Sequence, residues 1–130
     1  MLTGIGGSLR QRLSDATAEV SMSGRLRGWI NETIASGRTG VAQAARDLGV
    51  SARTLQRRLA DEGTTFQREL SGVREKLARH YLTRTQLSTG EIAFLLGYAE
   101  QNSFYRAFHD WAGVSPESAR GQQGASGSRL

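Results

Sequence analysis

Apolar residues along the middle of this chain recur at spacings of three and four, the period of helices packed on one face. Leu26, Trp29, Ile30, Thr33 and Ile34 share a face and Gly37 follows as a stop, which predicts a first helix from about Ser23 to Ser36. A second runs from Val41 to Leu48, where Gly49 ends it, and a third is capped by Ser51 and continues to about Glu62 before Gly63. Thr64 and Gln67 read as a T-x-x-Q capping box. Phe66, Leu70, Val73, Leu77 and Tyr81 then repeat at 4, 3, 4 and 4 residues, predicting a long fourth helix over Thr65 to Thr83. Ser88 and Glu91 form a second capping box opening a fifth helix, Glu100 to Trp111 makes a sixth, and Ser115-Pro116-Glu117 opens a short seventh with proline at its first position. No segment alternates as a strand would, so the expected class is all-α, with about seven helices.

The two ends have no such pattern. Residues 1–21 mix Gly, Ser and Arg with scattered leucines and read as a flexible segment or linker remnant, although Ser14 to Met22 could wind into a turn or two of helix. Residues 121–130 are rich in Gly, Ser and Gln and read as a flexible tail.

Between the ends, one pattern occurs twice about 48 residues apart. Ala44-Ala45-Arg46-Asp47-Leu48-Gly49-Val50, followed by Leu55-Gln56-Arg57-Arg58-Leu59, is echoed by Ile92-Ala93-Phe94-Leu95-Leu96-Gly97-Tyr98, followed by Phe104-Tyr105-Arg106-Ala107-Phe108. Each copy is a helix, a tight glycine turn and a second helix, at about 41–62 and about 88–111. A duplicated helix-turn-helix is a duplicated way of entering a DNA major groove.

The second helix of each copy would carry the chemistry. At 100° per residue, Leu55 and Leu59 lie on one side of the third helix and Arg53, Gln56 and Arg57 on the other. The same arithmetic on the sixth helix turns Phe104, Phe108 and Trp111 inward and Asn102, Tyr105 and Arg106 outward. The outward triples coincide in register: Arg53 with Asn102, Gln56 with Tyr105, Arg57 with Arg106. Any solvated helix face is polar, so the shared register is the informative part. Arg, Gln and Asn are the side chains that make bidentate contacts to guanine or adenine edges. Tyr105 could instead touch a thymine methyl or a phosphate, or pack on the adjacent helix. Arg58 lies at the flank, which suits a phosphate or a salt-bridge partner better than a base.

Composition narrows the partners. Seventeen Lys and Arg against 12 Asp and Glu give a net charge of +5, which favours a polyanion. Sixteen of the 17 are Arg, whose planar fork suits guanine edges and phosphates, although a GC-rich coding sequence would produce the same bias. Without cysteine there is no disulfide framework, zinc-finger cluster or thiol chemistry. No signal peptide or membrane span is legible, and the cytoplasm is the expected location. His80 and His109 lie 29 residues apart with nothing to complete a metal site, and the glycines form no phosphate-binding loop, so neither an enzyme nor a cofactor is expected. His80 reads as solvent-facing or as a phosphate contact. Asp61-Glu62 reads as the acidic, solvated end of the third helix, within reach of Arg58. The competing reading is a helical interaction module docking an acidic partner protein through its basic face. Such a surface should centre on apolar anchors, whereas the outward triples are mainly Arg, Gln and Asn.

From about Leu26 to Arg120 the chain resembles the AraC/XylS family of transcription regulators. The most specific part is Glu91-Ile92-Ala93-Phe94-Leu95-Leu96-Gly97-Tyr98, Gln101-Asn102-Ser103-Phe104-Tyr105-Arg106-Ala107-Phe108 and Gly113-Val114-Ser115-Pro116, similar to the family's signature across its second helix-turn-helix. The stretch Ser51 to Leu59 with Gly63-Thr64 is similar to its first. The resemblance implies a homeodomain-like DNA-binding unit over 22–120. A long linker helix, about 65–83, joins two helix-turn-helix subdomains that enter successive major-groove segments of double-stranded DNA. Its base-contacting positions fall on Arg53, Gln56 and Arg57 and on Gln101, Asn102, Ser103, Tyr105 and Arg106. Gln101 and Ser103 enter through the resemblance alone. The family usually carries a separate effector-sensing or dimerisation domain, for which residues 1–25 are too few, so the chain is either a stand-alone short regulator or, the favoured reading, a fragment of a longer protein. A contact with RNA polymerase could exist elsewhere on its surface. Two departures stand out. Ala99 occupies the place of a capping Ser or Asp before the sixth helix, a loss on the order of 1 kcal/mol. Pro116-Glu117-Ser118-Ala119-Arg120 lacks the aromatic that usually precedes the arginine, which leaves the last helix short of an anchor. Gly90 is a poor residue for the first turn of a helix unless a neighbour needs its space.

Overall fold

The helical periodicities fold close to the expected boundaries. The computed structural model describes residues 21–121, with α1 at Met22–Thr33, α2 at Val41–Leu48, α3 at Ala52–Asp61, α4 at Phe66–Arg84, α5 at Thr89–Leu95, α6 at Gln101–Ala112 and α7 over 116–121. No strand occurs among the described residues. Of the end segments expected to be flexible, 1–21 and 121–130, only two residues are described, and both are ordered: Ser21 caps α1 by accepting the Gly24 N–H and Gly121 ends α7. The rest lies outside the described residues, as does nearly all of the helical turn expected over Ser14 to Met22. After Thr33 the chain tightens into a single narrower turn, Ile34–Ser36, and stops at Gly37 with φ 74°.

Two corrections concern helix ends. Thr65 caps α4, accepting the Arg68 N–H at 3.1 Å, in place of the expected Thr64–Gln67 box. Thr64 still belongs to the end of α3, because its N–H closes on the Leu59 carbonyl at 2.9 Å. Its hydroxyl instead donates to Glu69 Oε2 at 2.6 Å, and the other carboxylate oxygen of Glu69 takes Arg27 at 2.7 Å. Glu62, expected to be a solvated end beside Arg58, instead caps the N-terminus of α1. It accepts from Met22 N–H (2.8 Å), Ser23 N–H (3.1 Å) and the Ser23 hydroxyl (2.6 Å). Burial pushes its carboxyl up, but the hydrogen bonds from Ser23 and Met22 and the charge of Arg27 outweigh that and hold it below its ordinary value.

The interior comprises two clusters. Leu26, Ile30, Leu55 and Leu59 centre the first, and Ile92, Leu96, Phe104 and Phe108 the second; all eight are fully buried. Helix α4 serves both, sending Phe66, Leu70 and Val73 into the first and Ala78 and Leu82 into the second, while Leu77 packs against each. Its 19 residues make a rod of about 28 Å that is the common wall of both subdomains. Small cores of this size gain stability by sharing such an element.

The last helix is anchored despite its missing aromatic. Ser115 caps it through the Ser118 N–H (3.1 Å) and Pro116 is buried. Arg120 donates to four carbonyls: Leu87 at 2.6 Å, Leu82 at 3.1 Å, Tyr81 at 3.2 Å and Thr85 at 3.4 Å. A guanidinium thus covers carbonyls at the end of α4 and in the loop after it, sharing that of Tyr81 with the Thr85 N–H and hydroxyl, and so ties α7 to the linker helix.

Candidate nucleic-acid interface

Both glycine turns close in the same way. In the first, Gly49 at φ 77° lets the Val50 N–H reach the Ala45 carbonyl at 3.0 Å; in the second, Gly97 at φ 81° lets the Tyr98 N–H reach the Ala93 carbonyl at 3.0 Å. This is the left-handed helix stop that glycine adopts at least cost. An arginine from the preceding long helix then covers the carbonyl before each turn. Arg25 of α1 donates to the Leu48 carbonyl at 2.7 Å, and Arg74 of α4 to that of Leu96 at 2.9 Å. The duplication therefore extends to three helices per copy, α1 to α3 and α4 to α6, a correspondence that the sequence pattern did not reveal.

The turns differ in what lies against them. A Cβ on Gly49 would meet nothing within 4 Å, whereas one on Gly97 would collide with the Ile34 carbonyl oxygen and stand 3.5 Å from the Gly37 Cα. The second turn is therefore pressed against the end of α1. Arg74 seals the junction, with its guanidinium 4.2 Å over the Tyr98 ring. Burial raises the Tyr98 phenol above its ordinary value against the opposing pull of Arg74, so this contact stays a neutral ring under a cation. The junction fixes how one subdomain sits on the other, and with it the relative setting of α3 and α6.

On α3 the expected face is present. Leu55 and Leu59 are fully buried, while Arg53, Gln56, Arg57 and Arg58 are exposed and make no side-chain hydrogen bond or ion pair among the described residues. Ser51 caps the helix by accepting the Thr54 N–H at 3.0 Å. Arg58 has no acidic partner among the described residues: of the Asp61-Glu62 pair expected within its reach, Glu62 is engaged at α1 and Asp61 forms no ion pair with it.

On α6 the face is narrower than expected. Asn102 and Arg106 are exposed and unpartnered among the described residues, and Ser103 is half-buried. Tyr105 is not an outward residue: it is half-buried, its ring packs against the second cluster edge-on to Phe104, and its hydroxyl lies 3.0 Å from Thr89 Oγ1. Its length carries it from the edge of the helix face onto α5. Gln101 is exposed, yet its amide donates to the same Thr89 oxygen at 3.0 Å, and the Thr89 hydroxyl donates to Glu117 Oε2 at 3.1 Å. Gln101 does not need Gly90 for this, since a Cβ there would lie 3.6 Å from the amide oxygen, an ordinary contact. Trp111 is only half-buried, packed beside Phe108. The residue before α6 is Glu100 rather than Ala99, and it makes no side-chain capping bond.

His109 was missed as a face residue. It is exposed three residues beyond Arg106, and the 102, 106, 109 spacing was the available signal. His80 is exposed on α4. Among the described residues no group of three His, Cys, Asp or Glu could hold a metal ion, and no helix is long and apolar enough to cross a membrane.

Comparison with known proteins agrees with this geometry. Residues 44–122 match the family model described as a helix-turn-helix domain. The chain is 50% identical over 78 residues to the ornithine utilization regulator of Pseudomonas aeruginosa, covering 60% of this chain and 23% of that protein. It is 36% identical over 114 residues to the HTH-type transcriptional regulator VirS of Mycobacterium tuberculosis, covering 88% of this chain and 32% of that one. Among solved structures, the C-terminal domain of AraT, a response regulator from Geobacillus stearothermophilus, superimposes with a TM-score of 0.72 at 31% identity, over 78% of this chain and 84% of that domain. The chain thus spans between about a quarter and a third of the length of these curated relatives. With both helix-turn-helix units, their exposed faces and the matched domain in agreement, this chain belongs to the AraC-type family of helix-turn-helix transcriptional regulators.

Proposed function

We propose that this chain reads double-stranded DNA sequence-specifically with two unequal heads, α3 and α6, entering adjacent major-groove segments whose centres lie about one helical turn, 10 to 10.5 bp, apart. The observation that carries this reading is the pair of exposed faces in one register, unpartnered among the described residues, Arg53, Gln56 and Arg57 on one helix and Asn102 and Arg106 on the other. They stand on two subdomains locked together at Gly97 and Arg74. Arg58 serves as a phosphate contact, with Gln101, Ser103 and Tyr105 at the edge of the second head. The cations supply affinity through phosphate neutralisation, and the two faces supply selectivity. RNA polymerase is the protein partner in this reading, effector sensing belongs to a region beyond this DNA-binding unit, and the place of action is the cytoplasm. The alternative of a basic module docking an acidic protein has less support, since the exposed large apolar side chain among the described residues, Phe94, lies on α5 and not on either reading face.

Selection from a random duplex pool at fixed salt, followed by titration against a scrambled duplex, tests the reading. An asymmetric two-part motif bound at least ~10³-fold more tightly than scrambled DNA is expected. Arg57→Ala and Arg106→Ala should each cost about 1–3 kcal/mol on that motif and much less on scrambled DNA. Failure to enrich any motif overturns the proposal.

A further inference from the structure

Helix α6 begins without the side-chain cap that α3 enjoys, and a different device takes its place. Thr89, the first residue of α5, has one hydroxyl proton and two lone pairs, and all three are used. It donates to Glu117 Oε2 (3.1 Å), accepts the Gln101 amide (3.0 Å), and with that donor role filled accepts the Tyr105 hydroxyl (3.0 Å). Gln101 and Tyr105 lie one turn apart on α6, so two points on that helix are pinned to one atom of α5, and Glu117 ties the same atom to α7. Two attachment points along the axis resist both sliding and rolling of α6. The corresponding position on α3, Gln56 for Tyr105, is exposed and has no such tether.

We propose that Thr89 is a positioning residue for the second head. By engaging Gln101 and Tyr105 it sets the roll of α6, leaving Asn102 and Arg106 to face base edges. This inference rests on the two-headed reading proposed above. It makes the selectivity of the second half-element depend on a hydroxyl that itself touches no base. A bidentate contact demands both directions of the side-chain fork, so a small roll of α6 weakens discrimination at Arg106 more than it weakens phosphate attraction.

The full 130-residue chain would be prepared as wild type, Thr89→Val, Thr89→Ser, Tyr105→Phe and the Thr89→Val/Tyr105→Phe pair. Each would be titrated at fixed salt against the preferred duplex and against duplexes altered in one half-element at a time. Thr89→Val keeps the shape and removes the hydroxyl; it should lose roughly five- to tenfold of the discrimination at the second half-element and none at the first. Thr89→Ser should restore it. Tyr105→Phe should lose less, and the double variant should match Thr89→Val, since both changes act through one contact. Unchanged second-element discrimination in Thr89→Val overturns the inference, as does an equal loss on both elements and on scrambled DNA. Loss of fold in Thr89→Val, seen as a collapsed helical circular dichroism signal, shifts the decision to Thr89→Ser and Tyr105→Phe. Wild-type discrimination in both then sustains a purely structural role and overturns the proposal. If the wild type discriminates at neither half-element, it is the two-headed reading itself that has failed.

Discussion

Replacing Gly97 by alanine, with Gly49 as the internal control, separates the cost of a left-handed turn from the cost of breaking the junction between the two subdomains. Both glycines end the first helix of a helix-turn-helix at nearly the same angle, φ 81° and φ 77°. Alanine pays about 1–2 kcal/mol to hold that conformation at either position. At Gly49 nothing else is added, because the new methyl group points into open space. At Gly97 it meets the Ile34 carbonyl oxygen, which already accepts the Gly37 N–H at 3.2 Å and so belongs to a closed turn that cannot simply swing away. Relief requires a shift of one backbone against another, which typically adds ~1–3 kcal/mol. Gly49→Ala should therefore cost about 1–2 kcal/mol and Gly97→Ala about 2–5 kcal/mol. Urea unfolding followed by circular dichroism, with slopes checked for constancy, would measure both. Binding adds a second readout: Gly97→Ala should flatten the preference for one spacing between half-elements, while Gly49→Ala keeps it. Equal losses of stability in the two variants would refute the reasoning, since the junction would then contribute nothing beyond the turn.

Three further outcomes follow from the same geometry. Because the Glu62 carboxyl is held below its ordinary value near 4.5, it contributes stability above that pH and loses it as pH falls through the lowered folded value; an acid titration of stability should therefore be shallower in Glu62→Gln than in wild type. Arg120→Ala strands four carbonyl contacts at the end of α4 and should cost roughly 2–3 kcal/mol in thermal unfolding, with Arg120→Lys recovering little because an ammonium cannot span the same set. Glu100→Ser supplies the cap that α6 lacks and should stabilise the chain by about 0.5–1 kcal/mol, a gain of a few degrees in melting temperature.

Legibility in the sequence tracked how local each interaction is. The capping box of Ser88 and Glu91 is present as read, with both reciprocal bonds made, because it lies within four residues and depends only on residue type. The repeat, the glycine stops and the α3 face follow from period and spacing in the same way. What escaped were long side chains working across elements. Glu62, just past the end of α3, looks like any solvated acid, and nothing nearby reveals that its partners, Met22 and Ser23, lie 40 and 39 positions earlier. Arg25, Arg74 and Arg120 look like members of a basic surface, yet each is turned inward onto carbonyls 22 to 39 positions away. For Tyr105 the sequence left two readings open, an outward contact or packing on the adjacent helix: its angle on the helix wheel is that of Gln56, and only its reach, which brings the hydroxyl to α5, decides for the second.

These hidden contacts divide the arginines into two populations, and the division bears on how the domain meets DNA. A net charge of +5 counts Arg53, Arg57 and Arg106 together with Arg25, Arg74 and Arg120, although the first three are exposed and unpartnered among the described residues and the last three are committed to the fold. Cations bonded to carbonyls are held at the helix ends, and moving one out to a phosphate would release the carbonyls it covers. The salt dependence of binding should thus report the free population alone. Neutralising Arg58 should lower the slope of log affinity against log salt by about 1, whereas neutralising Arg25 should leave that slope nearly unchanged while lowering stability. If both substitutions lower the slope alike, the committed arginines also face the duplex, and the separation between holding the fold and holding the DNA fails.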